Sequence, residues 1–272
     1  MSRPLPESGL PGPGSGVEVL SPPLASDFPQ EWYDLSAPEH FWFEWRLRAF
    51  LRQVEELGLR RDLPLGAIDV GAGAGVLRDQ LEARTQWTID IADLNPAALA
   101  RARRGRGRNL CYDVLEPAAD LLARYDVAFL FDVIEHVAEP RPLVSAVLRH
   151  LRPGGHLFVN VPAGQWLFSA YDEAAGHVRR YGRSTLTAQL ALPGLEVRDL
   201  RYWGLSLVPL LVARKLLVRR AASNAAVVRR GFEPPGRLAH ALLRLLLRAE
   251  TLVLARPPLG SSLLLAGRTR TS

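Results

Sequence analysis

Residues 67–77 read Ala67-Ile68-Asp69-Val70-Gly71-Ala72-Gly73-Ala74-Gly75-Val76-Leu77, a strand-like apolar run that ends in an acid and passes directly into three alternating glycines. Glycine at every second position lets the backbone turn tightly and approach a ligand closely, and in an α/β sheet the first strand-to-helix turn is where a nucleotide-like molecule sits. Such a loop also occurs as a plain turn, so its meaning depends on the residues downstream of it. Eighteen positions beyond Gly75, the run WTIDIAD (87–93) ends on Asp93, where a carboxylate can accept hydrogen bonds from both ribose hydroxyls. Asp90 competes for that role, but Asp93 stands at the strand end, just before the helix start Leu94-Asn95-Pro96. A third run, NLCYD (109–113), ends on Asp113, either beside an adenine amino group or in a surface turn.

The alternation extends outward from this point. LGAIDV, WTIDIAD, NLCYD, DVAFLFD and GHLFVNV read as strands, with helices expected near 76–84, 96–105, 116–124 and 140–151. That order predicts parallel strands with crossover helices. After a helix at 184–192, LEVRDLRYW reads as a sixth strand and SSLLLAGR as a seventh. Ahead of the first strand, Phe41, Trp45, Phe50, Val54 and Leu57 follow helical spacing, with Ser36 as the N-cap candidate and Gly58 as the stop. The first 30 residues hold seven prolines and four glycines, so residues 1–34 are expected to be a disordered tail and 35–272 one domain.

Composition narrows the function classes. With 48% hydrophobic and 23% charged residues the chain is globular rather than disordered or fibrous. One cysteine, Cys111, excludes an intramolecular disulfide and any cysteine-built metal cage, and fits a reducing, cytoplasmic compartment. The N-terminus shows no apolar stretch of secretory length, and the longest uncharged stretch, Pro153–Tyr171, is too interrupted to span a bilayer. The net charge of +6 conceals an asymmetry: residues 201–272 carry +11 and the preceding 200 carry −5. Between the last two strands, at about 205–257, lie two leucine-rich basic segments. In the second, Arg237, His240, Arg244, Arg248 and Thr251 share a narrow arc, leaving a wide leucine face that needs cover.

Taken together, Asp69, Gly71, Gly73, Gly75 and Asp93 resemble the D-x-G-x-G-x-G loop and strand-end acid of the class I S-adenosylmethionine-dependent methyltransferases. The resemblance continues through DLNPAAL, NLCYDV, YDVAFLFDVIEHV and LRPGGHLFVNVP, covering about residues 38–204 and the last strand. It implies a Rossmann-like α/β sheet of seven strands whose last is antiparallel and enters between the fifth and sixth. It also implies that the glycine loop holds the amino-acid part of S-adenosyl-L-methionine, Asp93 the ribose and Asp113 the adenine, with the loop after the fourth strand beside the transferred methyl group. NAD is the alternative cofactor, but the dinucleotide fingerprint wants glycine where this chain has Val76, and Asp69 suits a diphosphate poorly. A non-catalytic partner-binding protein is a further alternative; the intact glycines and acids argue against it.

The loop after the fourth strand, Asp132-Val133-Ile134-Glu135-His136, gathers two carboxylates and an imidazole that can serve as a base or hold a divalent cation. It is similar to the E-x-x-E-H segment that ligates magnesium in ubiquinone-pathway O-methyltransferases, but the first acid here is Asp132, which argues for no metal. The segment after the fifth strand resembles a subgroup with a D-x-x-x-G-H-x-R-R-Y loop, matched by Asp172, Gly176, His177, Arg179, Arg180 and Tyr181. The resemblance places Asp132 beside the cofactor; with the chemistry of these side chains, His136, His177 and Glu135 become the catalytic candidates and Arg179, Arg180 and Tyr181 the candidates for holding the acceptor, which is expected to be a small molecule, lipid or glycan methylated at oxygen. The basic leucine-rich segments suit an anionic membrane surface, which would give access to a lipid or lipid-linked glycan, or else packing on the sheet or a dimer interface. Nucleic acid is not expected, because basic and aromatic residues do not interleave.

Overall fold

The structure, a computed structural model, describes residues 16–23, 38–217 and 236–271. Its centre is an eight-stranded sheet with the order β1-β4-β3-β2-β5-β6-β8-β7. The strands are β1 (Val17–Val19), β2 (Gly66–Val70), β3 (Thr88–Asp93), β4 (Asn109–Cys111), β5 (Tyr125–Phe131), β6 (Leu151–Pro162), β7 (Leu195–Trp203) and β8 (Ser262–Thr269). The first six in this spatial order pair in parallel, while β8 runs antiparallel to both β6 and β7. The seven expected strands and the reversed last one are all present. The eighth is β1, which lies within the stretch expected to be a disordered tail. Val17-Glu18-Val19 is a proline-free β-prone triplet between proline clusters, and it covers the otherwise open edge of β4. Residues 1–15 and 24–34 of that expected tail, and Ser36, lie outside the described residues.

Both faces of the sheet are covered, as parallel strands require. Along β5 the side chains alternate: Val127, Phe129 and Phe131 join one core cluster, and Ala128 and Leu130 join the other. Helix α1 (Phe41–Glu56) covers the first face through Trp45, Phe50 and Val54, each at most 1% exposed. Its N-cap is His40, whose ring accepts from the Trp42 amide. Phe50 meets Phe129, Phe131 and Phe158 edge-on at 4.9–5.6 Å, a packing whose loss to alanine costs about 3–5 kcal/mol. Helices α2 (Val76–Glu82), α3 (Pro96–Leu99), α4 (Pro140–His150), α5 (Ala170–Ala174) and α6 (Arg183–Leu190) complete the crossovers.

Two expected helices are shorter. Helix α3 ends at Leu99, and 116–124 supplies only the 3-10 turn Ala119–Leu121. Arginine and glycine at 103–107 offer no apolar face for a longer helix to bury.

Between β7 and β8 run α7 (Val208–Leu217) and α8 (Gly236–Val253). Helix α8 packs on α1 through a mixed side in which Leu243 and Leu247 join the core cluster around Phe41 and Trp45. Arg244 donates to Glu44 at 2.8 Å, and His240 meets Phe41 edge-on. The Glu250 carboxylate accepts the amides of Gly204, Leu205 and Ser206 at 2.7–3.0 Å. The leucine face, which the pattern alone would bury, is turned outward: Leu242, Leu245, Leu246, Leu252 and Val253 are 44–83% exposed. The Arg237 side chain lies outside the described residues.

Candidate functional site

Four acids stand at the carboxyl ends of four neighbouring strands: Asp113 after β4, Asp93 on β3, Asp69 on β2 and Asp132 after β5. Open α/β sheets bind ligands along this edge, where the strand order reverses. The glycine loop begins here, with Gly71, Gly73 and Gly75 all at positive φ, a conformation that disfavours any side chain. A Cβ on Gly71 would stand 2.6 Å from Val133 Cγ2, so the glycine loop and the loop after β5 close on one another. The Gly73 amide donates to Asp93 Oδ2 and the Asn95 amide to Oδ1, both at 2.8 Å, which fixes the carboxylate in direction. Burial raises the Asp93 pKa, opposed by amide donors that include Asn95 and Gly73. Asp90 is otherwise engaged, by Arg108 at 3.0 Å and the Tyr125 hydroxyl at 2.8 Å. Asp113 closes a turn by accepting the Leu115 amide at 2.9 Å, while its own amide donates to Ser21 Oγ.

Asp69 is buried at 3% exposure. Desolvation pushes its pKa up to about 7 against the pull of Arg46 and Arg78, with Asp93 and Asp132 adding to the rise. Arg46 reaches from α1 to Asp132, its Nη1 2.5 Å from Oδ2, and its guanidinium lies about 5 Å from the ring centres of Trp42, Phe43 and Phe131. Asn160 donates to the other Asp132 oxygen at 2.7 Å and accepts from Trp203 Nε1 at 2.8 Å. Asp132 thus holds a positive φ of 59° with both oxygens engaged.

Beyond Asp132, the turn Ile134–His136 meets the segment 172–181. The Val178 amide donates to Glu135 O at 2.9 Å, the Tyr181 hydroxyl to Ile134 O at 3.0 Å and Arg179 to Ala138 O at 2.6 Å. The two imidazoles meet edge-on, with His136 and His177 centroids 4.8 Å apart. His177 Nδ1 lies 3.0 Å from Asp172 Oδ1, and Arg180 Nε donates to the same oxygen at 2.7 Å. Burial works to raise the Asp172 pKa, but the His177 hydrogen bond and the Arg180 charge carry it down to about 2. Burial, with help from His177, pulls the His136 pKa down to about 4, so that ring is neutral at pH 7. Glu135 is 1% exposed and its Oε2 has no hydrogen-bond partner among the described residues; burial, then Asp132, raises its pKa well above the usual range.

Glu135, His136 and His177 each offer one ligand atom within 4.8 Å of the others. This set does not fit magnesium, which takes oxygen ligands: two of the donors are imidazoles, and Asp132 is held by Arg46 and Asn160.

The model of a methyltransferase domain matches residues 13–200. The chain belongs to that family. It is a class I S-adenosylmethionine-dependent methyltransferase. A ubiquinone biosynthesis O-methyltransferase of Marinobacter nauticus is 27% identical over 55% of this methyltransferase and 71% of the relative. One from Cronobacter sakazakii is 35% identical over 38% of this chain and 45% of its own length, so the matched part spans less than half of that relative. Among solved structures, the [4+2]-cyclase SpnF superposes with a TM-score of 0.51 at 18% identity, covering 81% of each chain, a likeness of fold alone.

The glycine loop, Asp69, Asp93, Asp132, Glu135, His136 and His177 of this methyltransferase gather along one edge of the sheet. Arg180 and Tyr181 are buried at 6% and 1% and donate within the protein. Asn160 was not legible as a site residue, since an asparagine inside an apolar strand carries no motif. Arg214 on α7 was not either; it lies 3.7 Å over the ring of Tyr171 and ties the basic insertion to the segment after β6.

Proposed function

We propose that this methyltransferase moves a methyl group onto an oxygen of a small-molecule, lipid or glycan acceptor in the cytoplasm, with His177 as the base. S-adenosylmethionine supplies the methyl group on a sulfonium, which makes displacement by an oxygen downhill. The observation that carries the reading is the Asp172–His177 pair beside Glu135 and His136: Nδ1 is held by the carboxylate at 3.0 Å, which leaves Nε2 as the proton acceptor.

In this reading the acceptor hydroxyl gives its proton to His177 Nε2 as its oxygen bonds to the methyl carbon, and the carbon–sulfur bond breaks to release the neutral thioether. Asp172 stabilises the imidazolium and fixes the tautomer. Asp93 accepts the ribose hydroxyls, Asp113 faces the adenine, and the glycine loop with Asp69 receives the cationic amino-acid end. Asp132, held by Arg46 and Asn160, shapes the wall beside the methyl group. Arg180 and Tyr181 are positioning residues of the segment over the acceptor, and Arg179, half-buried at its rim, is the anchor for an anionic acceptor. The names of the sequence relatives support an oxygen acceptor.

The test is methylation of a panel of phenols, hydroxylated lipids and glycans with a labelled methyl donor, for the wild type and His177→Gln. Transfer to hydroxyls that falls in the variant supports the reading; transfer only to amines, unchanged in the variant, overturns it.

A further inference from the structure

We infer that the outward leucine face of α8, continued by the exposed side chains of α7 and Trp166, seats the enzyme on an anionic lipid surface. The spacing of Leu242, Leu245, Leu246, Ala249, Leu252 and Val253 is one unbroken helical stripe, with the leucines and valine 44–83% exposed. Helix α8 carries leucines on two sides, Leu243 and Leu247 inward and this stripe outward. Arg244, Glu250 and Thr251 are spent on contacts within the protein, to Glu44, to the amides at 204–206 and to Leu247 O respectively. The docked side joins that polar set to Leu243 and Leu247, which pack into the core cluster around Phe41 and Trp45, while the stripe at 242–253 remains for another surface. Isolated exposed leucines need no explanation, but a stripe of this length does.

Charge identifies the occupant. Residues 201–272 carry +11, so a second copy placed face to face would meet like charge, whereas an anionic headgroup layer would be attracted. Arg248 is exposed on the same helix, beside the leucine stripe, whereas Arg256 just beyond it is paired with Glu56 and Asp199. No described helix is long and apolar enough to cross a membrane, which leaves a helix lying in the interface plane. Helix α7 extends the surface with Leu210 and Leu216, 47% and 69% exposed. Its Lys215 donates to Trp166 O at 2.5 Å, and Trp166, 53% exposed, follows β6 on the acceptor side. Docking by this face would bring the acceptor side close to the lipid, which deepens the acceptor reading and rests on it only for the claim that the acceptor is lipid-borne.

The experiment is sedimentation of the full chain with vesicles of phosphatidylcholine alone and of phosphatidylcholine with roughly one quarter phosphatidylglycerol, without any methylation readout. The comparison is with the double variant Leu245→Asp, Leu252→Asp, whose S-adenosylhomocysteine binding, measured alongside, should match the wild type and shows that it is folded. The expected result is sedimentation with the anionic vesicles that weakens with salt, and a partition coefficient lowered about tenfold or more in the variant. No sedimentation with anionic vesicles, or equal sedimentation of the variant, overturns the inference. So does a wild-type dimer that the variant converts to monomer, which would assign the face to a second copy.

Discussion

The imidazole Nδ1 of His177 stands 3.0 Å from the carboxylate of Asp172, and that side chain is wholly buried. A buried acid aimed at a histidine fixes which ring nitrogen carries the proton and makes the other a base. His177→Gln is therefore expected to lower kcat by about a hundred- to ten-thousandfold while leaving S-adenosylhomocysteine affinity unchanged, as measured by turnover with a responsive hydroxyl acceptor and by calorimetry.

Asp172 also makes stability depend on pH. Its pKa falls from 3.8 to about 2 on folding, so it stabilises the fold above the unfolded value and loses that contribution as pH falls through the folded one. The full shift corresponds to roughly 2 kcal/mol. Acid unfolding followed by circular dichroism should show a component between about pH 4 and pH 2 in the wild type that Asp172→Asn lacks.

Asp69 has its pKa shifted the other way, upward. Burial holds its pKa near 7, so below that pH the unliganded protein carries a proton there that a cationic ligand must displace. Affinity for S-adenosylmethionine should rise with pH up to about 7, with release of as much as one proton, measured by calorimetry in buffers of different ionisation enthalpy. Asp69→Asn should flatten that dependence.

Gly71 tests the closeness of the two loops. An alanine there would take φ +73° and put its Cβ 2.6 Å from Val133 Cγ2, so Gly71→Ala should destabilise the protein by about 1–3 kcal/mol and weaken cofactor binding together. Thermal melts with and without S-adenosylhomocysteine separate the two losses.

The donor set at Glu135, His136 and His177 leads to a prediction about metal. Because two imidazoles stand where magnesium would want oxygen, turnover should survive dialysis against EDTA and should not rise with added magnesium. A loss on chelation that magnesium restores would contradict this.

Much of this was legible in the sequence, and for identifiable reasons. Strands β2 to β5 are short, nearly continuous apolar runs with acids at or just after their ends, so both the sheet and its ligand edge could be read from Asp69, Asp93 and Asp113. The choice of Asp93 over Asp90 rested on position, and Arg108 and Tyr125 now account for Asp90. The N-terminal strand was missed because three residues between prolines give a weak periodic signal, and their order comes from pairing with β4. The D-x-x-x-G-H-x-R-R-Y pattern picked out His177 and Asp172 but could not show that Arg180 and Tyr181 point inward, since the sequence does not give the path of a loop. The same limit hid the docking of α8: periodicity locates a wide leucine face without saying that only its Leu243–Leu247 side meets the domain.

The central claim is that Asp93 and the glycine loop hold S-adenosylmethionine, and calorimetric titration of the wild type and Asp93→Ala with S-adenosylmethionine, S-adenosylhomocysteine and NAD tests it most directly. The account predicts that both sulfur ligands bind the wild type, that they bind the variant at least about thirtyfold more weakly, and that NAD gives no heat. Binding of NAD in place of the sulfur ligands, or sulfur-ligand affinity unchanged in Asp93→Ala, would contradict it.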